Sequence, residues 1–295
     1  MSDMFNKKDL KYYVCPICKS DLHLGKNKLI CRKCKNNFRI IEGVPIFLTN
    51  KISPENYEKQ TSYFDKEFSD LKYDIEPWQI TYNKRMSDVF PKNKKANYLD
   101  LGCGSGYAVL HFSKKYGIVF GCDLSINSIL RLKNICDANK IRNIKLCVAS
   151  AEYLPYKKDI FDMISSNAVI EHVPNEKEYV NELLRISKRE SVFFITGPLK
   201  FRYVNPLFWI LNIINDRMVG HLRRYDEKRF KKIFKNKAKI HRIFYTGHFM
   251  KSIITLINLF LRNKYLSKKA EVYDDKLINK KYGANNISIV LKRKL

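Results

Sequence analysis

From residue 97 onward, short apolar runs alternate with amphipathic stretches. Runs near 98–101, 118–122, 144–148, 161–166 and 191–196 predict strands, and stretches near 107–115, 126–139 and 176–187 predict the helices between them. Such alternation predicts an α/β fold with a parallel, doubly wound sheet. Two later apolar runs, near 239–245 and 286–292, predict two further strands. Residues 51–96 are polar and dotted with Tyr57, Tyr63, Phe64, Phe68, Trp78 and Tyr82, which predicts a leading helical segment. Residues 1–50 show neither period and carry paired cysteines instead.

The first strand of the alternating region runs into Leu99-Asp100-Leu101-Gly102-Cys103-Gly104-Ser105-Gly106. Glycines at this spacing let the backbone pass close to a ligand, and the helix that follows points free N–H groups at the turn. The second strand ends in Gly121-Cys122-Asp123. Asp123 lies about 20 residues beyond the glycine turn, the offset at which a carboxylate reaches ribose hydroxyls. An acid there suits the ribose of a nicotinamide dinucleotide or of S-adenosylmethionine. The dinucleotide fingerprint requires Gly-x-Gly-x-x-Gly to fit a pyrophosphate. Here the order is Gly-x-Gly-x-Gly, preceded by Asp100.

With Ala151-Glu152-Tyr153-Leu154-Pro155-Tyr156, Phe161-Asp162-Met163-Ile164 and Ala168-Val169-Ile170-Glu171-His172-Val173 following in order, residues 97–200 resemble a class I S-adenosylmethionine-dependent methyltransferase of the type 11 kind. The resemblance implies a seven-stranded Rossmann-like sheet with its last strand antiparallel. It implies that Gly102, Gly104 and Gly106 pack against the cofactor and that Asp100 steadies the turn near its amino group. Asp123, with Leu124 beside it, would bind the ribose. Ala151 and Glu152 would lie by the adenine, and Asn167 and Ala168 by the methionine moiety. In this family a leading helical segment such as 51–96 often closes over the cofactor.

Cys15-Pro16-Ile17-Cys18 and Cys31-Arg32-Lys33-Cys34 have tetrahedral zinc spacing. Four thiolates leave no open coordination position, so a zinc there would be structural. A module this small needs such help, because it cannot bury enough apolar surface alone. The alternatives are two disulfides or a redox dithiol. The first ten residues are polar and charged, which predicts a cytoplasmic chain, with peripheral membrane contact left open, and reduced thiols. Together with the run from Phe38 to Leu48, these knuckles resemble the zinc ribbon of the tRNA-methyltransferase activator subunit. Related ribbons precede enzymes that act on very different acceptors. Cys103, Cys122, Cys136 and Cys147 read as buried free thiols.

The chain therefore divides into a ribbon at 1–50, a cofactor-covering segment at 51–96 and a methyltransferase domain at 97–295, with acceptor-binding insertions at 197–238 and 246–285. Ligands in open α/β sheets sit beyond the carboxyl ends of the strands, so the segment after the fifth strand should meet the acceptor. It contains Gly220-His221-Leu222-Arg223-Arg224-Tyr225-Asp226. Similar Gly-His-x-Arg-x-Tyr runs occur in small-molecule and glycan-cluster methyltransferases, which implies that His221, Arg223 and Tyr225 orient the acceptor. The other reading is that this run only starts a helix at 226–234, with Asp226 as its N-cap. An oxygen acceptor needs a base, and His172, His221 and His248 are the candidates. Some quinone-pathway O-methyltransferases place a Glu-His pair and a divalent metal where Glu171 and His172 stand, while other family members carry the same residues without a metal. No Asn-Pro-Pro-Tyr run is present, which argues against amino-methylation of a flipped base by that route.

Composition widens the choice of acceptor. The net charge is +27, from 56 Lys and Arg against 29 Asp and Glu. Such a field attracts RNA, an anionic membrane surface or phosphorylated intermediates, although Lys is spread along the whole chain. The apolar runs at 207–211 and 253–261 are too short to span a bilayer; they fit an interfacial membrane contact, a buried lid or a dimer interface. The expected function is methyl transfer from S-adenosylmethionine to an oxygen of a small-molecule, lipid or glycan-pathway acceptor. An rRNA or tRNA methyltransferase, and a non-catalytic partner module that only holds the cofactor, are the alternatives.

Overall fold

The computed structural model describes residues 5–52, 55, 57, 58, 61, 62, 74–235, 237–261 and 263–294. Tyr63, Phe64 and Phe68 of the expected covering segment lie outside the described residues.

Two sheets organise the chain. The smaller is an antiparallel meander of β1 (His23–Gly25), β2 (Lys28–Ile30), β3 (Asn37–Ile41) and β4 (Val44–Pro45). The larger contains β5 (Asn97–Leu101), β6 (Ile118–Asp123), β7 (Ile144–Val148), β8 (Phe161–Ser166), β9 (Ser187–Pro198), β10 (Ala238–Thr246) and β11 (Asn286–Arg293). Their order is β10-β11-β9-β8-β5-β6-β7. Strands β5 to β9 pair in parallel, and β11 runs antiparallel to both β9 and β10. This is the doubly wound α/β sheet with one antiparallel strand that the sequence predicts.

Among the described residues, the α-helices with defined bounds are α1 (Pro77–Val89), α2 (Tyr107–Ser113), α3 (Ile126–Ala138), α4 (Glu176–Ile186), α5 (Trp209–Val219), α6 (Glu227–Phe234), α7 (Phe249–Leu261) and α8 (Lys264–Lys276). Several start where a side chain satisfies the free N–H groups of the first turn. The Ser125 side chain accepts from Ser128 N–H at the start of α3, and Asn175 accepts from Lys177 and Glu178 at the start of α4.

One hydrophobic core runs from the cysteine-bearing module into the large sheet. Tyr13 stacks on Phe47 at 5.6 Å between ring centroids and lies 5.4 Å from Tyr156. Tyr156 meets Phe161 edge-on at 4.9 Å. The backbones join as well: Val14 N–H donates to Pro155 O, and Phe47 N–H donates to Val148 O, both at 2.7 Å. Ile46 pairs in parallel with Val148 at the end of β7. The module is thus seated against the sheet by buried aromatics and by main-chain hydrogen bonds.

Candidate functional site

The turn between β5 and α2 is held open by its glycines. Gly102 has φ +73°, and a Cβ there would lie 2.2 Å from Val169 Cγ2, so only glycine fits. Gly104 N–H donates to Asp123 Oδ2 at 2.8 Å, and Asp123 Oδ1 accepts from Ser125 N–H at 2.9 Å. The turn and the acid at the end of β6 therefore position each other. Gly106 has a different reason to be glycine: a Cβ would fall 2.3 Å from Leu132 Cδ1 on α3.

A cavity of about 860 Å³ opens at the carboxyl ends of the strands, and Asp100, Gly102, Gly104, Asp123 and Leu124 line it. Ala151, Glu152, Asn167 and Ala168 complete that side, whereas Gly106 is not among the lining residues. Asp100 is buried and accepts from Ser165 Oγ at 2.5 Å. Burial pushes its carboxyl up to about 7, against the hydrogen bond from Ser165. Glu152 Oε1 accepts from Asn175 N–H at 2.7 Å. Asn167 Oδ1 is buried without a hydrogen-bond partner among the described residues. Trp78, Gln79 and Tyr82 of α1 also line the cavity, and Gln79 Nε2 donates to Ser105 Oγ in the turn at 3.3 Å.

Glu171 and His172 also line this cavity. Glu171 is buried, and burial, with the charge of Asp216 nearby, pushes its carboxyl up to about 8. Its Oε2 has no hydrogen-bond partner among the described residues. Its Oε1 faces His221 Nε2 across 3.9 Å. His221 Nδ1 is 2.7 Å from Asp216 Oδ1, and Arg224 grips Asp216 with Nε and Nη2 at 2.7 and 2.9 Å. The rings of His172 and His221 meet edge-on at 4.9 Å. Burial holds His172 down at about 4, so its imidazole is neutral at physiological pH.

Other positions expected to touch the acceptor are engaged elsewhere. Arg223 donates to the backbone oxygens of Val173 and Pro174 at 2.5 and 3.0 Å. Tyr225 is fully buried, its hydroxyl 3.0 Å from Ile170 O and 2.9 Å from Glu176 Oε2. Neither lines the cavity. Both tie the loop after β8 to the start of α6, where Asp226 accepts from Arg229 N–H as N-cap. Asp226 thus caps the helix, while Arg223 and Tyr225 bond the segment between Ile170 and Glu176. Both ring nitrogens of His248 are engaged within the fold. Its Nδ1 meets Asp274 at 2.7 Å and its Nε2 meets Lys280 O at 2.8 Å.

A family model described as a methyltransferase domain matches residues 92–247. The chain belongs to this methyltransferase-domain family. Among relatives, it is 33% identical over 107 residues to norajmaline N-methyltransferase of Rauvolfia serpentina, covering 35% of this chain and 37% of that protein. It is 27% identical over 192 residues to the ubiquinone/menaquinone biosynthesis C-methyltransferase UbiE of Rickettsia massiliae, covering 58% of this chain and 77% of the relative. The chain thus spans little more than a third of the length of the first of these. In structure it is similar to a geranyl diphosphate C-methyltransferase from Streptomyces coelicolor A3(2), with a TM-score of 0.62 at 14% identity over 82% of this chain and 99% of the other. That likeness shows the fold. The methyltransferase relatives span N- and C-methylation, so the family leaves the acceptor open.

In front of this methyltransferase sheet the four knuckle cysteines converge, their sulfurs all within 4.8 Å of one another. Each knuckle repeats one loop. Cys15 N–H donates to Ser20 O and Cys31 N–H to Asn36 O, at 2.8 and 2.9 Å. Lys19 and Lys35, just after the second cysteine of each pair, have φ of 58° and 61°. None of the eight cysteines forms a disulfide, and the remaining four are buried.

Asp216 was not expected at this site. Its signal is Asn212 and Asp216, two polar residues four apart in the largely apolar stretch 204–219, which also holds Asn205, Asn215 and Arg217. Such spacing puts both on one helix face.

Proposed function

We propose that this chain transfers a methyl group from S-adenosylmethionine to an oxygen of a small-molecule, lipid or glycan-pathway acceptor. The observation that carries the reading is Glu171: a buried carboxyl that lines the cavity, its Oε2 without a hydrogen-bond partner among the described residues, backed by His221 and Asp216.

The residues present fit the cofactor. Asp123 would hold the ribose hydroxyls while Gly104 and Ser125 fix its carboxylate. Asn167 Oδ1 offers an acceptor to the methionine amino group, and Ala151 and Glu152 would border the adenine. When bound, S-adenosylmethionine supplies an activated methyl group. The protein's part is then alignment and proton removal. Glu171 Oε2 takes the acceptor's hydroxyl proton, and His221, oriented by Asp216, stabilises the carboxylate from behind. His172, neutral and at the wall, positions the acceptor oxygen. Glu171, His172 and His221 also place ligand atoms within 4.8 Å of one another, so the same pocket could take a divalent cation. Cys15, Cys18, Cys31 and Cys34 would hold a structural zinc that secures the module.

The test incubates the purified protein with methyl-labelled S-adenosylmethionine and a cell extract split into RNA, lipid, polysaccharide and small-molecule fractions. Label outside RNA supports the reading. Label that nuclease removes turns it toward RNA methylation, and label nowhere, despite cofactor binding, toward a non-catalytic module. With an acceptor in hand, the rate should rise with pH through about 8 as Glu171 ionises. Glu171→Gln should abolish that limb and lower turnover about a hundredfold. An unchanged profile removes Glu171 as the base.

A further inference from the structure

Helix α5 is built inside out. None of its residues is buried. It is anchored by polar groups: Asn212 Nδ2 donates to Phe208 O, Asn212 Oδ1 accepts from Arg224 Nη2, and Asp216 is gripped by Arg224. One aliphatic face of it, continued by Leu207 in the turn before it, points away. Leu207, Ile210, Ile214 and Met218, spaced three, four and four apart, are 73%, 73%, 48% and 68% exposed. That spacing is one helix face. Among the described residues nothing covers it.

Helix α7 adds a second such stripe with Met250, Ile257, Phe260 and Leu261, of which Phe260 is 88% exposed. The two helices approach at their starts, where Phe208 and Phe249 lie 5.7 Å apart. Both also border the cavity, α7 through Ile254 and Leu256, and α5 and the turn before it through Leu211 and Phe208. The helices that carry the apolar outer surface therefore also supply part of the cavity wall.

Charge selects the occupant. The acidic residues between 201 and 285 are Asp216, Asp226, Glu227, Glu271, Asp274 and Asp275. Each forms an ion pair with a Lys, Arg or His of this chain. Arg217, on α5, and Lys268 and Lys269, on α8, are left exposed. Aliphatic stripes with a cationic border match acyl chains and anionic headgroups. A second copy of this chain would bring the same cations against its own, and RNA bases would find no aromatic to stack on among Leu207, Ile210, Ile214 and Met218.

We propose that the outer faces of α5 and α7 seat on an anionic bilayer, and that the acceptor is an amphiphile taken from it. The docking claim stands apart from methyl transfer; only the nature of the acceptor rests on that reading.

The experiment is flotation of the full-length protein with phosphatidylcholine vesicles, with and without phosphatidylglycerol. The protein should float with the phosphatidylglycerol vesicles and less so at raised salt. The combined variant Leu207→Ser, Ile210→Ser, Ile214→Ser, Met218→Ser should partition at least about tenfold less, with unchanged Tm and unchanged affinity for S-adenosylhomocysteine. A second variant, Arg217→Glu with Lys268→Glu and Lys269→Glu, should lose the preference for anionic vesicles. Wild-type protein that does not float overturns the proposal, as does a serine variant that floats equally. A wild-type dimer that the serine variant dissolves, without flotation, reassigns the face to a second copy. Protein that floats yet methylates nothing refutes the methyl-transfer reading and leaves docking intact.

Discussion

At the β7 side of the large sheet, Tyr13, Phe38 and Phe47 of the cysteine module turn inward onto Tyr156 and its neighbours. At the cavity side, α5 turns Asn212 and Asp216 inward and leaves Ile210, Ile214 and Met218 outside. Both regions are additions to the same methyltransferase sheet, and both are rich in apolar residues. The first uses them for cohesion with the sheet. The second is attached by polar contacts, which are directional and few, and keeps its apolar surface free. Hydrophobicity along the chain thus reports how much apolar surface there is. The position of the polar residues within the same helix decides which way it faces.

The comparison can be broken most severely at the module. Phe47→Ala should cost about 3–5 kcal/mol in denaturant unfolding, because a fully buried ring on two faces is lost. Module and sheet should still melt in one transition; a separate early transition of residues 5–50 would show that they do not share a core. Next in size is Arg224→Ala, which strips Asp216 of its clamp and should cost about 1–3 kcal/mol. Hydrogen exchange should quicken within 209–219 and nowhere in the module. Protection unchanged in α5 would mean that its polar anchors do not hold it.

A third effect is one of pH. The Glu171 carboxyl is raised from 4.5 to about 8 in the folded protein, so the native state holds this proton more tightly than the unfolded chain. Stability is therefore greatest below the unfolded value and falls as pH rises from about 4.5 towards 8. Glu171→Gln should remove this loss, gaining at least about 1 kcal/mol over wild type at high pH and little at low pH. A gap that does not widen with pH contradicts the burial of the charge. The smallest effect belongs to the outer stripe. Ile210→Ser or Ile214→Ser alone should change stability by no more than about 0.5 kcal/mol. A loss of more than about 2 kcal/mol, the scale of core truncation, would mean that these side chains are covered in solution.

Much of the sheet was legible because parallel strands buried on both faces leave continuous apolar runs. The boundaries failed where that signal fails. Strand β9 starts at Ser187 rather than near 191, its first turns hidden by Lys188, Arg189 and Glu190. The glycine turn and Asp123 were readable because backbone geometry dictates those residue types. Gly106 was readable as glycine but not in its cause, which lies in Leu132 on another helix. Arg223 and Tyr225 show the opposite limit. An Arg or Tyr donor reads the same in sequence whether its partner is an acceptor molecule or a backbone carbonyl, and only the fold brings Val173 and Ile170 into reach. Asp216 escaped because its partners, His221 and Arg224, lie beyond its own helix.

The join between module and sheet has a further meaning for how this protein behaves in a crowded solution. A sheet's outermost strands invite other chains to add on. On the β10 side the chain discourages this with exposed Lys239, His241 and Arg242 and with a register break between Ile240 and Arg242. On the β7 side Lys145 is paired with Asp9 and the residues from Leu146 to Val148 are buried; there Ile46 and Phe47 occupy the last positions of the strand. Unseating the cysteine module would strip that cover, so aggregation should set in before the cofactor cavity itself is damaged.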